Sequence, residues 1–344
     1  MAGLDIFNAK AFSMVEMTAA VNKTPYKPGF LGSLNLFAPK PIRTTAAAIE
    51  LKDGTLNLIQ TSPRGAPLEE GKRDKRNIYY RETVRIAKGY TIQASEVQNV
   101  RAFGSETELE SVMEVVADAL NGPTGLIAQV EYTWENMRLG AVQGIVTDAD
   151  GSTIVDWYSV LGVSQPAEID FDLDNANPAE GALRKRCDDV TRKAQRELGG
   201  LWLEGSSYLM ALCGDAFWDD LNAHPEVRDW QKNWPAAVGL RERTAWRQMD
   251  FGGIVWRNYR GSDDNSTVAV PADKAKFVPV NVPGLFEVAY APSESLPFVN
   301  TKGLPLYSMI VLDKDRQMWA RPEVYSYPLH ICTRPGSLFR ARRT

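Results

Sequence analysis

Residues 46–61, AAAIELKDGTLNLIQT, and residues 78–93, IYYRETVRIAKGYTIQ, both carry the apolar–polar alternation of β-strand. Between them stands a knot of mixed charge: Arg64, Glu69, Glu70, Lys72, Arg73, Asp74, Lys75 and Arg76. The pattern predicts a long hairpin with a charged tip and a kink at Asp53-Gly54. At ~3.3 Å per residue, a dozen residues of such a strand reach about 40 Å, against roughly 17–20 Å for a typical strand. A two-stranded ribbon is at best marginally stable alone in water. The ribbon must therefore rest on something, either its own domain folded beneath it or a second molecule.

The rest of the chain has to supply a body for this arm. With 344 residues, 44% of them hydrophobic and 24% charged, it can build a sizeable core divided into two or three lobes. A formal net charge of −4 is unlike that of a dedicated nucleic-acid binder, whose domain is usually basic, though it permits a local basic patch. Cys187, Cys213 and Cys332 are odd in number and far apart, which fits a reducing compartment better than a disulfide framework. The first residues lack the basic start of a secretory signal, and no run approaches the ~18 apolar residues of a membrane span. The expectation is a protein with no membrane contact.

Residues 1–20 place Leu4, Phe7, Phe12 and Val15 on roughly one helical face, and the Pro- and Gly-rich residues 22–41 read as extended chain lying on another surface. Ser105 and Glu108 form a capping box that opens a helix with the stripe Leu109, Val112, Met113, Val116 and Leu120. Asn121-Gly122-Pro123 breaks the pattern, which resumes with Leu126, Ile127, Val130, Trp134, Met137 and Ala141. The opposite face repeats an acid every four residues: Glu106, Glu110, Glu114 and Asp118. Like charges at that spacing cost a few tenths of a kcal/mol per pair. The stripe is either simply solvated or covered by a basic partner, and the tip at 72–76 is one such partner. Residues 144–163 read as a hairpin turning at Asp150-Gly151, where turn chemistry explains the aspartates better than a calcium loop does. Residues 181–200 read as a charged amphipathic helix closed by Gly199-Gly200. YLMALC follows as a buried strand, DAFWDDLNAH as a short helix, then strands near FGGIVWRNY, FVPVNVP, LYSMIVL and QMWARPEVYSYPLHICTR, and a basic tail with Arg340, Arg342 and Arg343.

Catalytic signals are sparse. The only histidines, His224 and His330, lie far apart, and His330 and Cys332 alternate on one strand as structural residues do. No G-x-S-x-G, P-loop or G-x-G-x-x-G occurs. Six tryptophans, Trp202, Trp218, Trp230, Trp234, Trp246 and Trp256, crowd residues 200–260 among mixed charges, which points to burial rather than base stacking. The expectation is a protein that is not an enzyme, with no cofactor and no metal.

Taken in order, IELKDGTLNLIQTSPRGAP, VQNVRAFGSETELESV, RLGAVQGIVTDADGST, ALCGDAFWDDLNAHPEVR, FGGIVWRNYRG, PGLFEVAYAPSESLPFVNTKGLPLYS and PLHICTRPGSL resemble the lambda-type phage major capsid protein family (capsid protein E), from about residue 25 to 340. The resemblance implies an α+β chain with the Hong-Kong-97-type tailed-phage capsid fold. It implies an N-terminal arm at 1–45, an extended E-loop hairpin at 46–92, a P-domain with a spine helix at 93–178, an A-domain at 179–318, and a C-terminal return to the P-domain at 319–344. It implies self-assembly into hexamers and pentamers of an icosahedral shell around double-stranded DNA, with portal, scaffold and decoration proteins as further partners. The virion capsid, assembled in the bacterial host cytoplasm, would be its location. On that reading the charged tip keeps an exposed edge from pairing indiscriminately and then meets the Glu106–Asp118 stripe of another chain, while Arg340, Arg342 and Arg343 face DNA. The alternative is a non-enzymatic nucleic-acid-binding or other oligomeric interaction protein working through the tail 334–344.

Overall fold

The structure, a computed structural model, describes residues 29–53, 75–98, 112–175, 177–232, 248–259 and 268–344. The chain enters through the short helix α1 (Phe30–Ser33) and strand β1 (Ala38–Pro41). The ribbon follows as β2 (Ala46–Asp53) and β3 (Lys75–Glu82), antiparallel from Ala46↔Glu82 to Asp53↔Lys75, in a sheet of two strands. The predicted strand 78–93 does not run on. It bends at Thr83–Arg85, where Val84 N–H donates to the Pro328 carbonyl, and continues as β4 (Ile86–Gly89) and β5 (Ile92–Gln93) on a different sheet. Alternation survives the bend because both halves are half-buried strands, so periodicity alone could not show it.

A one-turn helix, α2 (Ala94–Val97), leads towards the long helical region. This region is two helices, α3 (Val112–Asn121) and α4 (Leu126–Gln143). The Gly122–Gly125 break is built in: Gly122 N–H still donates to the Asp118 carbonyl, but the following Pro123 ends the ladder. The 144–163 hairpin is β6 (Ile145–Thr147) and β7 (Thr153–Asp156), and its second limb stops early. Asp156 accepts hydrogen bonds from the amides of Tyr158 and Ser159, starting helix α5 (Trp157–Leu161) where sequence predicted more strand.

Next come β8 (Ile169–Asp170), helix α6 (Ala182–Leu198), β9 (Tyr208–Cys213), helices α7 (Asp215–Ala223) and α8 (Pro225–Lys232), and strands β10 (Gln248–Phe251), β11 (Ile254–Asn258) and β12 (Lys274–Val280). The chain closes with β13 (Phe286–Tyr290), β14 (Tyr307–Leu312), β15 (Trp319–Ser326), β16 (Pro328–Cys332) and β17 (Arg340–Arg342).

Five sheets result. The largest runs β10-β11-β9-β12-β17-β8 and is covered on both faces. On one face Leu209, Ala211, Trp256, Phe277 and Ala341 meet the apolar stripe of α6 (Leu183, Cys187, Val190, Ala194) and α7. On the other, Met210, Leu212, Val278 and Val280 share a core with the second half of α4 (Met137, Ala141, Val142) and with β13 and β16. The first half of α4 packs with α3 against β5, β13 and β15. The terminal residues do not form a free tail: β15 and β16 lie beside α4, whereas β17 is an interior strand of the six-stranded sheet.

Candidate assembly surfaces

The ribbon has two unlike faces. On the inner face Ala47 and Ile49 are buried, and Tyr79, opposite Ile49, is partly buried against the main core. On the outer face Tyr80, opposite Ala48, is 65% exposed, and Ile78, opposite Glu50, is 48% exposed. The base is thus seated on its own body, while two large apolar side chains on the other side are largely open to solvent. Arg85, at the bend, bonds Glu294 at 2.8 Å, and its guanidinium lies 5.3 Å from the Tyr325 ring centroid. The Glu294 carboxylate holds the Arg85 pKa above its ordinary value. Both groups are more than half exposed, so the pair adds little stability.

Of the residues expected to make contacts between subunits, Arg64, Glu69, Glu70, Lys72, Arg73, Asp74, Glu106 and Glu110 lie outside the described residues. Lys75 and Arg76 open β3, in register with Asp53 and Lys52. Glu114 and Asp118 stand one turn apart on the exposed side of α3, whose Val116 and Leu120 are buried.

The C-terminal arginines occupy three different settings. Arg342 bonds Asp170 at 3.1 Å and Arg343 bonds Asp220 at 2.7 Å, which raises the Arg343 pKa. Arg340 alternates with buried Phe339 and Ala341, and no partner meets its Nε.

A second cluster gave no signal in the sequence. Glu135 is 4% exposed in the middle of α4. Its carboxylate accepts the backbone amides of Leu31 at 2.7 Å and Gly32 at 3.1 Å, together with the Tyr259 hydroxyl at 3.3 Å, and Arg138 stands 3.6 Å away. A Cβ on Gly29 would lie 2.5 Å from the Glu135 carboxyl carbon, so any larger residue there would have to push the carboxylate off the amides it holds. The Arg257 guanidinium sits 3.8 Å from the Phe30 ring centroid. These contacts anchor the entering arm to the long helix.

The side chains with chemical potential are put to structural use. Cys187, Cys213 and Cys332 are buried free thiols, and burial raises the pKa of each. His330 is buried edge-on to Phe37, and burial pushes its pKa down to about 3, so it is neutral. His224 is also buried and accepts the Glu226 amide on Nδ1. Asp150 accepts both the amide and the hydroxyl of Ser152, the turn chemistry expected there. Trp256 and Trp218 are buried, while Trp234 and Trp246 lie outside the described residues. Among the described residues no cluster of His, Cys, Asp and Glu could hold a metal ion, and no helix is long and apolar enough to cross a membrane.

Comparison with known proteins gives a concordant result. The family model for phage major capsid protein E matches residues 13–343. The major capsid protein of Salmonella phage Felix O1 is 26% identical, with 96% of each chain covered. Among solved structures, a protein assigned as the capsid protein of a prophage in E. coli CFT073 shares the fold, with a TM-score of 0.59 at 12% identity, over 98% of this chain and 100% of that one.

Proposed function

The chain belongs to the phage major capsid protein E family, and from that premise we propose how its parts build a shell. It is the major capsid protein of a phage or prophage, has the Hong-Kong-97-type capsid fold and assembles with other copies of itself. In our reading each copy lays its ribbon, the E-loop of residues 46–92, on an adjacent copy, and hexamers and pentamers close into an icosahedral shell around double-stranded DNA. The α3–α4 region acts as the spine of the P-domain, and the six-stranded sheet is the centre of the A-domain. Assembly takes place in the host cytoplasm, with portal, scaffold and decoration proteins as further partners.

The observation that carries this reading is the outer face of the ribbon, where Ile78 and Tyr80 are exposed on a sheet that has two strands among the described residues. Such an arm is marginal by itself, and a shell made from one chain needs a surface that meets a different surface on its neighbour. Many modest contacts per subunit then add through multivalency. The alternative of a nucleic-acid binder is weakened where it was strongest, since Arg342 and Arg343 are already paired with carboxylates.

Electron microscopy of the purified full chain tests the reading. Shells, or hexamers and pentamers, are expected; compact monomers under every condition would overturn it. A narrower test is charge reversal at Arg73 and Arg76, proposed to meet the acidic stripe of Glu106, Glu110, Glu114 and Asp118 on another copy. Assembly should fail while the subunit melts as before. Unchanged assembly would rule out that pairing and leave the capsid function standing.

A further inference from the structure

Four cations line one face of the β12–β17 pair in two rungs. Lys274 stands opposite Arg342, and Lys276 stands opposite Arg340. The opposite face, with Ala275, Phe277 and Ala341, is core. The outer rung is neutralised: Lys274 bonds Glu168 at 3.0 Å and Asp273 at 3.4 Å, and Arg342 bonds Asp170 at 3.1 Å. The inner rung has no such partner. Among the described residues no carboxylate forms an ion pair with Lys276 or Arg340, and the Arg340 Nε is buried without a hydrogen bond. Like charges directly opposite on a sheet repel, and partial burial removes the water that would screen them.

This rung opens into a cleft of about 370 Å³ between the sheet and the C-terminal half of α4, with Asn136, Gln143, Tyr158 and Gln165 among its walls and no acidic side chain. A water molecule takes about 30 Å³ of liquid, so the cleft has the volume of roughly a dozen waters. The polar walls are partly committed: the Asn136 amide donates to the Thr147 carbonyl and the Tyr158 hydroxyl to the Gln143 carbonyl. What remains on offer is positive. Burial, with Arg340 adding repulsion, pushes the Lys276 pKa down against the opposing pull of the Glu168 and Asp273 carboxylates on the neighbouring rung, and an incoming anion would reverse the shift.

We propose that this cleft binds a phosphate group, held by Lys276 and Arg340. A guanidinium fork beside an ammonium point charge suits phosphate oxygens. The group can come from a free phosphate ion or from the backbone of DNA. The inference rests on the charge arrangement and does not require the capsid reading.

The test uses the full chain before assembly. Melting is followed against added potassium phosphate, with potassium chloride and potassium glutamate at matched ionic strength, and binding of a short DNA duplex is measured in parallel. Saturable stabilisation by phosphate, weakened about tenfold in Lys276→Gln and further in the Lys276→Gln/Arg340→Gln pair, supports the proposal. A response to phosphate without the duplex assigns the free ion; a Lys276-dependent response to the duplex alone assigns the DNA backbone. Lys276→Met should melt no lower than the native chain in chloride, since the like-charge rung is relieved, which also checks that the fold survives. No stabilisation by either ligand, an equal effect of glutamate, or an undiminished response in the double variant overturns the proposal. If the double variant does not fold, Lys276→Arg, which keeps the charge, must retain phosphate binding while Lys276→Gln weakens it about tenfold, and any other result has the same consequence.

Discussion

The six-stranded sheet and the two-stranded ribbon are both built of β-strands, yet they are held in opposite ways. In the sheet both faces are covered: β9 sends Leu209 and Ala211 to one core and Met210 and Leu212 to the other. In the ribbon one face is seated through Ala47 and Ile49, while the other shows Ile78 and Tyr80 to solvent. The sheet is complete within one chain. The ribbon has half of what a sheet needs, and in the proposed assembly a copy of the same chain supplies the other half. Fold stability and assembly should therefore separate cleanly between the two regions.

The sheet offers the largest effect. Trp256 is fully buried, roughly parallel to Phe217 at 6.1 Å between ring centroids and edge-on to Phe171 and Phe277, and its indole N–H donates to the Phe251 carbonyl. Trp256→Ala should cost about 3–5 kcal/mol, measured by chemical denaturation of the unassembled subunit. A cost below about 1 kcal/mol, the scale of an ordinary point mutant, would mean that the sheet is not the centre of stability.

Next is the anchor of the entering arm. Glu135→Ala leaves the Leu31 and Gly32 amides without their acceptor and Arg138 without its carboxylate. The expected cost is about 3 kcal/mol, since breaking a buried pair strands the surviving partner. Proteolysis should show the segment at residues 29–37 opening before the rest. Uniform protection of that segment would show that Phe30 and Phe37 hold it without the carboxylate.

A smaller effect depends on pH. The folded His330 has a pKa of about 3 because burial opposes its charge, and Arg138 opposes it further. The unfolded chain, with an ordinary His pKa of about 6.5, binds the proton more readily. This contribution to stability is complete above about pH 6.5 and falls by up to ~1.4 kcal/mol per pH unit as pH drops towards 3. Carboxylates that titrate in the same range affect the native chain and His330→Leu alike, so the difference between their denaturation curves isolates the imidazole. Parallel curves for the two proteins from pH 4 to pH 7 would show that His330 is protonated without cost.

Sequence reading reached the elements whose pattern is local. YLMALC as a buried strand, the α6 helix closed by Gly199, the Asp150-Gly151 turn and the break at Gly122-Pro123 are all written in short-range chemistry. It missed features set by partners far away in the chain. The bend at Thr83–Arg85 exists because β4 pairs with β15, some 240 residues on. One local signal was missed as well: the Asp156 carboxylate caps helix α5 through the amides of Tyr158 and Ser159, in a run that otherwise reads as strand. Arg340 and Arg342 looked alike as a basic tail, and only the register with Lys276 and Lys274 distinguishes them. The Glu135 anchor joins residues 104 positions apart, a pairing that no pattern in a single sequence encodes.

The smallest effect on the subunit bears most directly on assembly. Tyr80 and Ile78 belong to the strand that pairs with Ala48 and Glu50, and both are exposed on the outer face. Replacing either with serine removes apolar surface that no core contains, so the free subunit should change by no more than about 0.5 kcal/mol. If that surface is buried against a neighbour, each replacement gives up roughly 1.5–3 kcal/mol at every copy of the contact. A shell repeats the contact at each subunit, so the loss compounds. Tyr80→Ser should therefore melt like the native subunit and yet fail to form particles, as seen by electron microscopy and sedimentation. A Tyr80→Ser protein that assembled at native concentrations would show that the exposed face is not where copies meet. One that melted several degrees lower would show that the ribbon draws its support from its own body, and the contrast between the two regions would be lost.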